Sequence, residues 1–117
     1  MFKPFHLIGM ELNTSIYSVG ILKKATGYTK AFLGDVIATA KQNLKKGQIL
    51  DGEGGFTVWG KLYQSEISKK IRGLPIGLAN DVKLKKDVRK DQPISWSDVE
   101  IHLNCPVVKI REKISLS

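Results

Sequence analysis

The sequence contains few of the residue types that form catalytic or metal centres. Its single cysteine, Cys105, excludes an internal disulfide, and the nearest histidine, His102, stands alone beside it. We therefore expect Cys105 to be a small buried hydrophobic residue, and we predict no metal site. A serine-type catalytic triad would have to use His6 or His102. Each is explained more simply without catalysis, His6 as a neutral ring bonded to the backbone and His102 as a solvent-facing strand residue.

Long hydrophobic runs are also absent. The longest, such as HLIGM and DVIATA, span only a few residues, whereas a membrane helix needs about 20. The start of the sequence, MFKPFHLIGMEL, has neither the apolar core nor the small-residue cleavage site of a signal peptide. The sequence therefore predicts a cytoplasmic protein with no membrane partner.

What the chain does have is positive charge, with a formal net charge of +8 over 117 residues. Lysines and arginines form short clusters, including one at residues 83–90, and acidic residues interrupt them. No aromatic residues alternate with these clusters, as they do in proteins that stack single-stranded bases. No helix-turn-helix, zinc-finger or RNP pattern occurs. The charge therefore favours a solvated surface or a small anionic ligand over nucleic acid.

Glycine is concentrated in the block DGEGG. A Walker loop would need a lysine and a serine or threonine after the glycines, and a dinucleotide loop would need G-x-G-x-x-G between a strand and a helix. Neither is present, and Asp51 and Glu53 would repel a phosphate. We expect Gly52, Gly54 and Gly55 to supply positive φ angles for a tight connection. The alternative is a ligand role, in which Asp51 or Glu53 accepts a hydrogen bond from a sugar hydroxyl or binds a cation.

Apolar spacing predicts one helix near the start of the chain, over residues 12–24. Asn13 or Thr14 would cap it, and Gly27 would end it in a left-handed conformation. Four apolar residues share one face of this helix: Leu12, Ile16, Val19 and Leu22. The predicted helix is therefore amphipathic.

The sequence pattern of the rest of the chain is typical of short β-strands. Alternating or short apolar runs predict them in DVIATA, FTVWGKLY, GLPIGL and DVEIHL. In FTVWGKLY we expect Phe56, Val58 and Leu62 to face inward. Between these segments, SEISKKIRG predicts a short internal helix with Ser65 as its cap and Gly73 as its terminator.

Two stretches resemble each other at a constant offset of 44 positions: KQNLKKGQILD from Lys41 and KKDVRKDQPIS from Lys85. Each has the pattern of a strand, a polar turn and an apolar exit. A single pair is too few for a solenoid. The repeat instead predicts a small sheet with pseudo-two-fold symmetry.

Longer blocks of the sequence carry a family resemblance. VIATAKQNLKKGQILD, followed by LPIGLANDVKLKKDVRKDQPISWSDVEI, resembles a SAF domain, the β-clip fold of type III antifreeze proteins and of the C-terminal domain of sialic acid synthases. PFHLIGMEL, ATAKQNLKKGQILDGEGGFTVWGKL and GLPIGLA resemble the C-terminal part of homoserine-dehydrogenase-like oxidoreductases. That group includes the enzymes similar to 1-deoxy-D-xylulose 5-phosphate reductoisomerase. The resemblance extends from about residue 2 to residue 101, and DGEGG is its most specific part.

The resemblance implies a mostly β (α+β) fold. An N-terminal helical segment, residues 1–33, would precede an SAF-like β-clip domain, residues 34–117. The family's dinucleotide-binding domain has no counterpart in this sequence, so NAD(P) is implied for a partner domain or subunit and not for this chain alone. The chain would then be a separately encoded piece or part of a longer protein. No enzymatic activity is predicted for the chain by itself, and no catalytic residue is assigned.

The function that the resemblance implies is accessory: covering the substrate or joining the subunits of an oxidoreductase that acts on a small anionic sugar-like or amino-acid-like compound. The alternative is a free-standing carbohydrate or sugar-acid binding module. An antifreeze role rests on fold alone, and the high charge argues against it. Exposed apolar residues favour a homo-oligomer with residues 1–22 in the contact. Six polar residues of the resembling blocks are candidates for ligand binding: His6, Glu11, Lys41, Asp51, Glu53 and Lys61.

Overall fold

A computed structural model describes residues 8–28, 30–101 and 105–116 of the protein. The chain divides into two compact units, Met1–Ala31 and Phe32–Ser117. The predictions made for His6, His102 and Leu103 lie outside the described residues. Helices and strands are both present, so the α+β class is confirmed.

The described part of the first unit contains one helix, α1 (Ile8–Gly20). It begins and ends four residues earlier than the predicted range 12–24, so Asn13 and Thr14 lie inside it and do not cap it. The apolar spacing located the helix correctly, but it could not fix the ends. The positions of helix ends depend on which backbone groups find hydrogen-bond partners.

The chain beyond α1 is turned by Lys23 and not by Gly27. Lys23 has a left-handed φ of 53°. On either side of it, the backbone N–H of Lys24 donates to the Ser18 carbonyl (3.0 Å), and the Ser18 hydroxyl donates to the Lys24 carbonyl (2.8 Å). These paired bonds offset the strain of a lysine in the left-handed region. They explain why no glycine is needed at this turn.

The predicted apolar face of α1 is exposed. Leu12, Ile16 and Val19 retain 55%, 58% and 61% of their accessible surface. The predicted spacing is confirmed for these three residues, which share one face of α1, whereas Leu22 lies beyond the end of the helix at Gly20.

The second unit contains two antiparallel sheets. Its strands are β1 (Gly34–Ala40), β2 (Ile49–Asp51), β3 (Val58–Gln64), β4 (Asn80–Leu84) and β5 (Val99–Glu100). One sheet pairs β1 with β3, and the other has the order β2-β4-β5. The helices are α2 (Ser65–Ile71) and α3 (Pro106–Leu116), with short 3₁₀ turns at Ile76–Leu78 and Trp96–Asp98. The short internal helix is confirmed as α2, whereas α3 was not predicted.

The hydrophobic core of this unit lies between the two sheets and the loops that join them. Its buried members are Ala38, Ala40, Leu44, Leu50, Val58, Leu74, Ala79, Val82, Leu84, Val88, Ile94 and Val99. The strand predicted in DVIATA is confirmed as β1, whose last four residues, 37–40, are all buried. Burial of both faces at that end explains its continuous apolar run.

Two predictions for the β-segments are wrong. In β3, Val58 is buried, but Leu62 is 72% exposed, and Phe56 before the strand is 86% exposed. The two-stranded β1–β3 sheet extends beyond the core. The alternation of apolar and polar residues in β3 therefore does not bury the side chains at that end of the strand. GLPIGL forms a 3₁₀ turn and not a strand, because the Leu78 N–H donates to the Pro75 carbonyl at 2.9 Å.

The ends of α2 also differ from the prediction. Gln64 occupies the N-cap position, and Ser65 is the first helical residue. At the other end Arg72, with φ 49°, takes the left-handed position expected of a glycine. Gly73 is required for a different reason. A Cβ atom on it would lie 2.3 Å from Cδ1 of the buried Ile37.

The internal repeat has a structural counterpart. The two copies meet at an antiparallel bridge between Leu44 and Val88, whose backbone groups exchange hydrogen bonds of 2.8 Å and 2.9 Å. The same turn position has a positive φ in both copies, 85° at Gly47 and 65° at Asp91. Neither copy is helical, so the two stretches are similar loops, as predicted.

The turn inside each copy is held by the same pair of contacts. In the first copy the Gln48 N–H donates to the Lys45 carbonyl (3.0 Å), and the Gln48 side-chain oxygen accepts from the Lys45 N–H (3.2 Å). In the second copy, Gln92 and Arg89 make the equivalent contacts, both at 3.2 Å. The matching glutamines of the sequence repeat therefore have one structural role, which is closing the turn.

Each copy also caps the other. Asp87 accepts a hydrogen bond from the Lys46 N–H at 2.8 Å, and Asn43, its counterpart in the first copy, accepts one from the Lys90 N–H at 2.9 Å. The bonds are reciprocal, as a two-fold axis requires. The predicted pseudo-two-fold relation is confirmed for the two turns and their capping bonds. It does not extend to the sheet, because the first copy ends in β2 whereas residues 85–95 contain no strand.

Candidate functional site

The glycine block forms a closed loop around the carboxylate of Asp51. This carboxylate accepts hydrogen bonds from the Phe56 N–H (2.6 Å), the Thr57 N–H (3.0 Å) and the Thr57 hydroxyl. The Thr57 hydroxyl, followed by the Phe56 and Thr57 N–H groups, lowers the pKa of Asp51 to about 2, against the opposing effect of desolvation. The Asp51 carboxylate is therefore used as a hydrogen-bond acceptor within the loop itself.

The glycines serve this loop in two ways. Gly52 and Gly54 have positive φ angles of 71° and 79°, as predicted. Gly55 does not, so the prediction for it is wrong. A Cβ atom on Gly55 would lie 2.2 Å from the Asp51 carboxyl carbon, so glycine is needed there to make room for the acid. The structural interpretation of DGEGG accounts for all three glycines and for Asp51.

Lys41 belongs to the same loop. Its ammonium group donates to the Gly55 carbonyl, and its backbone N–H donates to the Thr57 carbonyl at 2.9 Å. Glu53 is exposed at the tip of the loop. The structure therefore brings Lys41, Asp51 and Glu53 into one loop, and gives the first two a supporting role in it.

The other candidates do not join this loop. Lys61 is exposed on β3, where its ammonium group lies 5.6 Å from the centre of the Tyr63 ring. Glu11 belongs to α1, in the first unit. His6 lies outside the described residues. The six candidates therefore do not form a common site in the described part of the chain.

A different set of residues lines a cleft of about 460 Å³ in the second unit. This volume is in the range of about 300–1,000 Å³ that is usual for small-molecule sites. The lining residues come from the end of α2, the turn before β5 and α3: Ser68, Lys69, Arg72, Gly73, Trp96, Arg111 and Glu112. We call this the basic cleft, because three of its side chains are cationic and one is acidic.

A buried acid holds one wall of the basic cleft in place. Asp35, 6% exposed, lies on β1 and accepts hydrogen bonds from the Ser68 hydroxyl of α2 and from the Arg111 guanidinium of α3. The guanidinium also stacks on Phe32, 4.6 Å from the ring centre. Arg111 is thus fixed by an ion pair and a ring contact, and α3 is tied to the β1–β3 sheet.

Another part of the lining is formed by the end of α2 and by Trp96. The backbone N–H of Trp96 donates to the Arg72 carbonyl at 2.9 Å, and its half-buried indole packs against the core. Neither Lys69 nor Arg72 forms an ion pair with a carboxylate of the described residues. Lys69, whose ammonium group lies 5.9 Å from the centre of the Phe32 ring, and Arg72 are therefore the cations of the cleft that no carboxylate of the described residues neutralises.

Sequence reasoning did not find the basic cleft. The lysine and arginine cluster at residues 69–72 was visible in the sequence, but only as surface charge. Trp96 and Arg111 come from distant segments, and Arg111 lies on α3, which was not predicted. Only the tertiary fold brings these residues together.

Neither a metal-binding cluster nor a membrane-spanning helix occurs among the described residues. Within residues 8–28, 30–101 and 105–116, no group of three or more histidine, cysteine, aspartate or glutamate side chains could hold a metal ion. No helix of the same residues has the length and apolar character needed to cross a membrane.

Comparison with known proteins does not assign the chain to a family. No protein-family model matches the sequence, and no curated protein is significantly similar to it. The site must therefore be interpreted from its own geometry.

Proposed function

We propose that this chain is a cytoplasmic, non-catalytic accessory module of an NAD(P)-dependent oxidoreductase, and that it joins subunits or covers the substrate. The observation that carries the proposal is the uncovered apolar face of α1, where Leu12, Ile16 and Val19 are each more than half exposed. Contiguous apolar surface of this kind is usually buried by a partner. NAD(P) belongs to a dinucleotide-binding partner, and the substrate is a small anionic sugar-like or amino-acid-like compound.

Two further features support the proposal. The blocks that resemble the C-terminal part of homoserine-dehydrogenase-like oxidoreductases include the loop that Asp51 closes, and that loop is built for shape and not for phosphate binding. The reciprocal bonds between the two repeat copies also indicate that these segments serve to hold the fold together. Both features favour a scaffold over an independent catalyst.

Sedimentation velocity at low micromolar concentration tests the joining role. We expect the 13.0 kDa chain to form a dimer or larger oligomer, and the double substitution Leu12→Lys, Ile16→Lys to yield a monomer. The matched control is the double substitution Asn13→Lys, Thr14→Lys, which adds the same two positive charges at exposed positions of α1 outside the apolar face. A wild-type monomer would contradict the joining role and would favour the rival function, a free-standing sugar-acid binding module.

A nucleotide titration tests the assignment of NAD(P) to the partner. We expect NADPH fluorescence to be unchanged by the chain at micromolar concentrations. Saturable binding would contradict this part of the proposal.

A further inference from the structure

We infer that the basic cleft binds a small hydroxylated carboxylate, the chemical class of the sugar acids. The inference rests on the proposed function for the kind of ligand. It extends that function by placing the ligand on this chain, outside the loop of Asp51. Its chemistry follows from three features of the cleft: available cations, a fixed flat ring and a single acid.

The cations select an anionic group. Lys69 and Arg72 lie three residues apart at the end of α2, and both line the cleft. Arg111 adds positive charge, but it is neutralised in large part by Asp35 beneath it. One carboxylate can therefore be matched by the guanidinium of Arg72 and the ammonium of Lys69. The planar guanidinium suits the two oxygens of a carboxylate.

The ring of Trp96 selects the body of the ligand. Its position is fixed relative to Arg72 by the 2.9 Å backbone hydrogen bond between the two residues, and its inner side packs on the core. A flat indole at the side of a cleft offers apolar contact to a ring-shaped or short aliphatic body. A ligand that pairs with Arg72 is thus brought alongside Trp96.

The single acid selects against simple anions. Glu112 lines the cleft with the three cations, and it would repel a compact anion such as phosphate. A hydroxyl group can donate to Glu112. A compound that carries both a carboxylate and hydroxyls can therefore pair with the cations and donate to the acid. Neutral sugars lack the anionic group, and a compact anion such as phosphate lacks the ring-shaped or aliphatic body that would contact Trp96.

The two tryptophans make the inference testable on the intact chain. Trp96 lines the basic cleft, whereas Trp59 lies on β3. In Trp59→Phe the indole fluorescence reports the cleft alone. We expect it to change saturably with D-glucuronate at millimolar or lower concentration and not with D-glucose. In the wild-type chain, we expect the indole N–H signal of Trp96 to shift in nitrogen-15 NMR spectra and that of Trp59 to stay in place.

Substitution separates a specific site from surface charge. We expect Arg72→Gln to weaken glucuronate binding about tenfold or more, and Lys70→Gln, which removes an exposed lysine of α2 that does not line the cleft, to leave it within twofold. Unchanged amide spectra outside the cleft verify that both variants are folded. The inference is overturned if glucuronate leaves the Trp96 signal unshifted, if glucose or inorganic phosphate binds as tightly, or if Arg72→Gln binds like the wild type.

Discussion

At the scale of single residues, Asp51 determines the shape of the glycine block. Its carboxylate collects the Phe56 and Thr57 donors from across the loop, and Gly55 leaves the space that the carboxylate fills. The residue is conspicuous in the sequence, as an acid before a run of glycines. Its role depends on partners five and six positions further along the chain, which the sequence alone does not identify.

The protonation of Asp51 gives a prediction about acid stability. Its pKa is about 2 in the folded chain and 3.8 in the unfolded reference. Because the folded value is the lower one, the stabilisation is complete above about pH 4 and is lost as the pH falls towards 2. Asp51→Asn should therefore lower the free energy of unfolding by about 1 kcal/mol at pH 7, with allowance for solvent screening.

The measurement is urea denaturation of both chains at pH 7, 5 and 3. We expect the difference in unfolding free energy between the wild type and Asp51→Asn to be constant from pH 7 to 5 and to shrink at pH 3. Glu53→Gln is the matched control, because it removes an exposed acid from the tip of the same loop. A difference that persists unchanged at pH 3 would contradict the assigned role.

At the scale of secondary-structure elements, α2 and β1 pack closely against each other at Gly73. Among the glycines outside the Asp51 loop, Gly73 is the one where an added Cβ atom would come closest to a neighbouring atom. Gly73 follows the left-handed Arg72, donates its N–H to the Ser68 carbonyl at 3.1 Å, and leaves space for Ile37. Three atoms of the Ile37 side chain would lie within 2.9 Å of an added Cβ atom. A side chain here must displace a fully buried residue.

Gly73→Ala should consequently destabilise the chain by about 1–3 kcal/mol, the usual cost of overpacking a core. Gly77→Ala is the matched control, because no atom lies within 4 Å of its added Cβ atom. We expect it to change stability by less than about 0.5 kcal/mol. Equal effects of the two substitutions in denaturant unfolding would show that the α2–β1 junction is not closely packed.

The elements also show where sequence reasoning succeeds and where it fails. The repeat was predicted well, because its turns are closed by local contacts such as that between Gln48 and the Lys45 carbonyl. The inward face of β3 was predicted wrongly, because Leu62 lies where the two-stranded sheet extends past the core. Local alternation of apolar and polar residues does not show how far the core reaches along a strand. The basic cleft was missed for the same reason. Arg111 and Trp96 meet α2 only through long-range packing.

At the scale of the whole molecule, burial is concentrated in the second unit. The buried hydrophobic residues extend from Ile37 to Val108. None of the described side chains in the first unit is buried. The two units therefore contribute differently. The second has a core of its own, whereas the described helix of the first has its apolar residues largely exposed.

A truncated chain tests this division. We expect residues 32–117 alone to unfold in one cooperative transition, because they contain all of the buried hydrophobic residues that the structure describes. In this fragment Leu50→Ala should cost about 2–5 kcal/mol, as expected for a fully buried leucine. Thermal denaturation followed by circular dichroism provides the measurement. A broad, non-cooperative transition in the fragment would contradict an independent core.

The mutual capping of the two repeat copies has a consequence for the order of events in folding. Asp87 and Asn43 can make their bonds only after segments some 44 positions apart have met. The chain must therefore lose the entropy of closing a long loop before either turn gains its partner. Folding that waits for such distant encounters takes milliseconds to seconds, where helical bundles take microseconds to milliseconds. The half that emerges first from a ribosome must wait for its counterpart before it can become native.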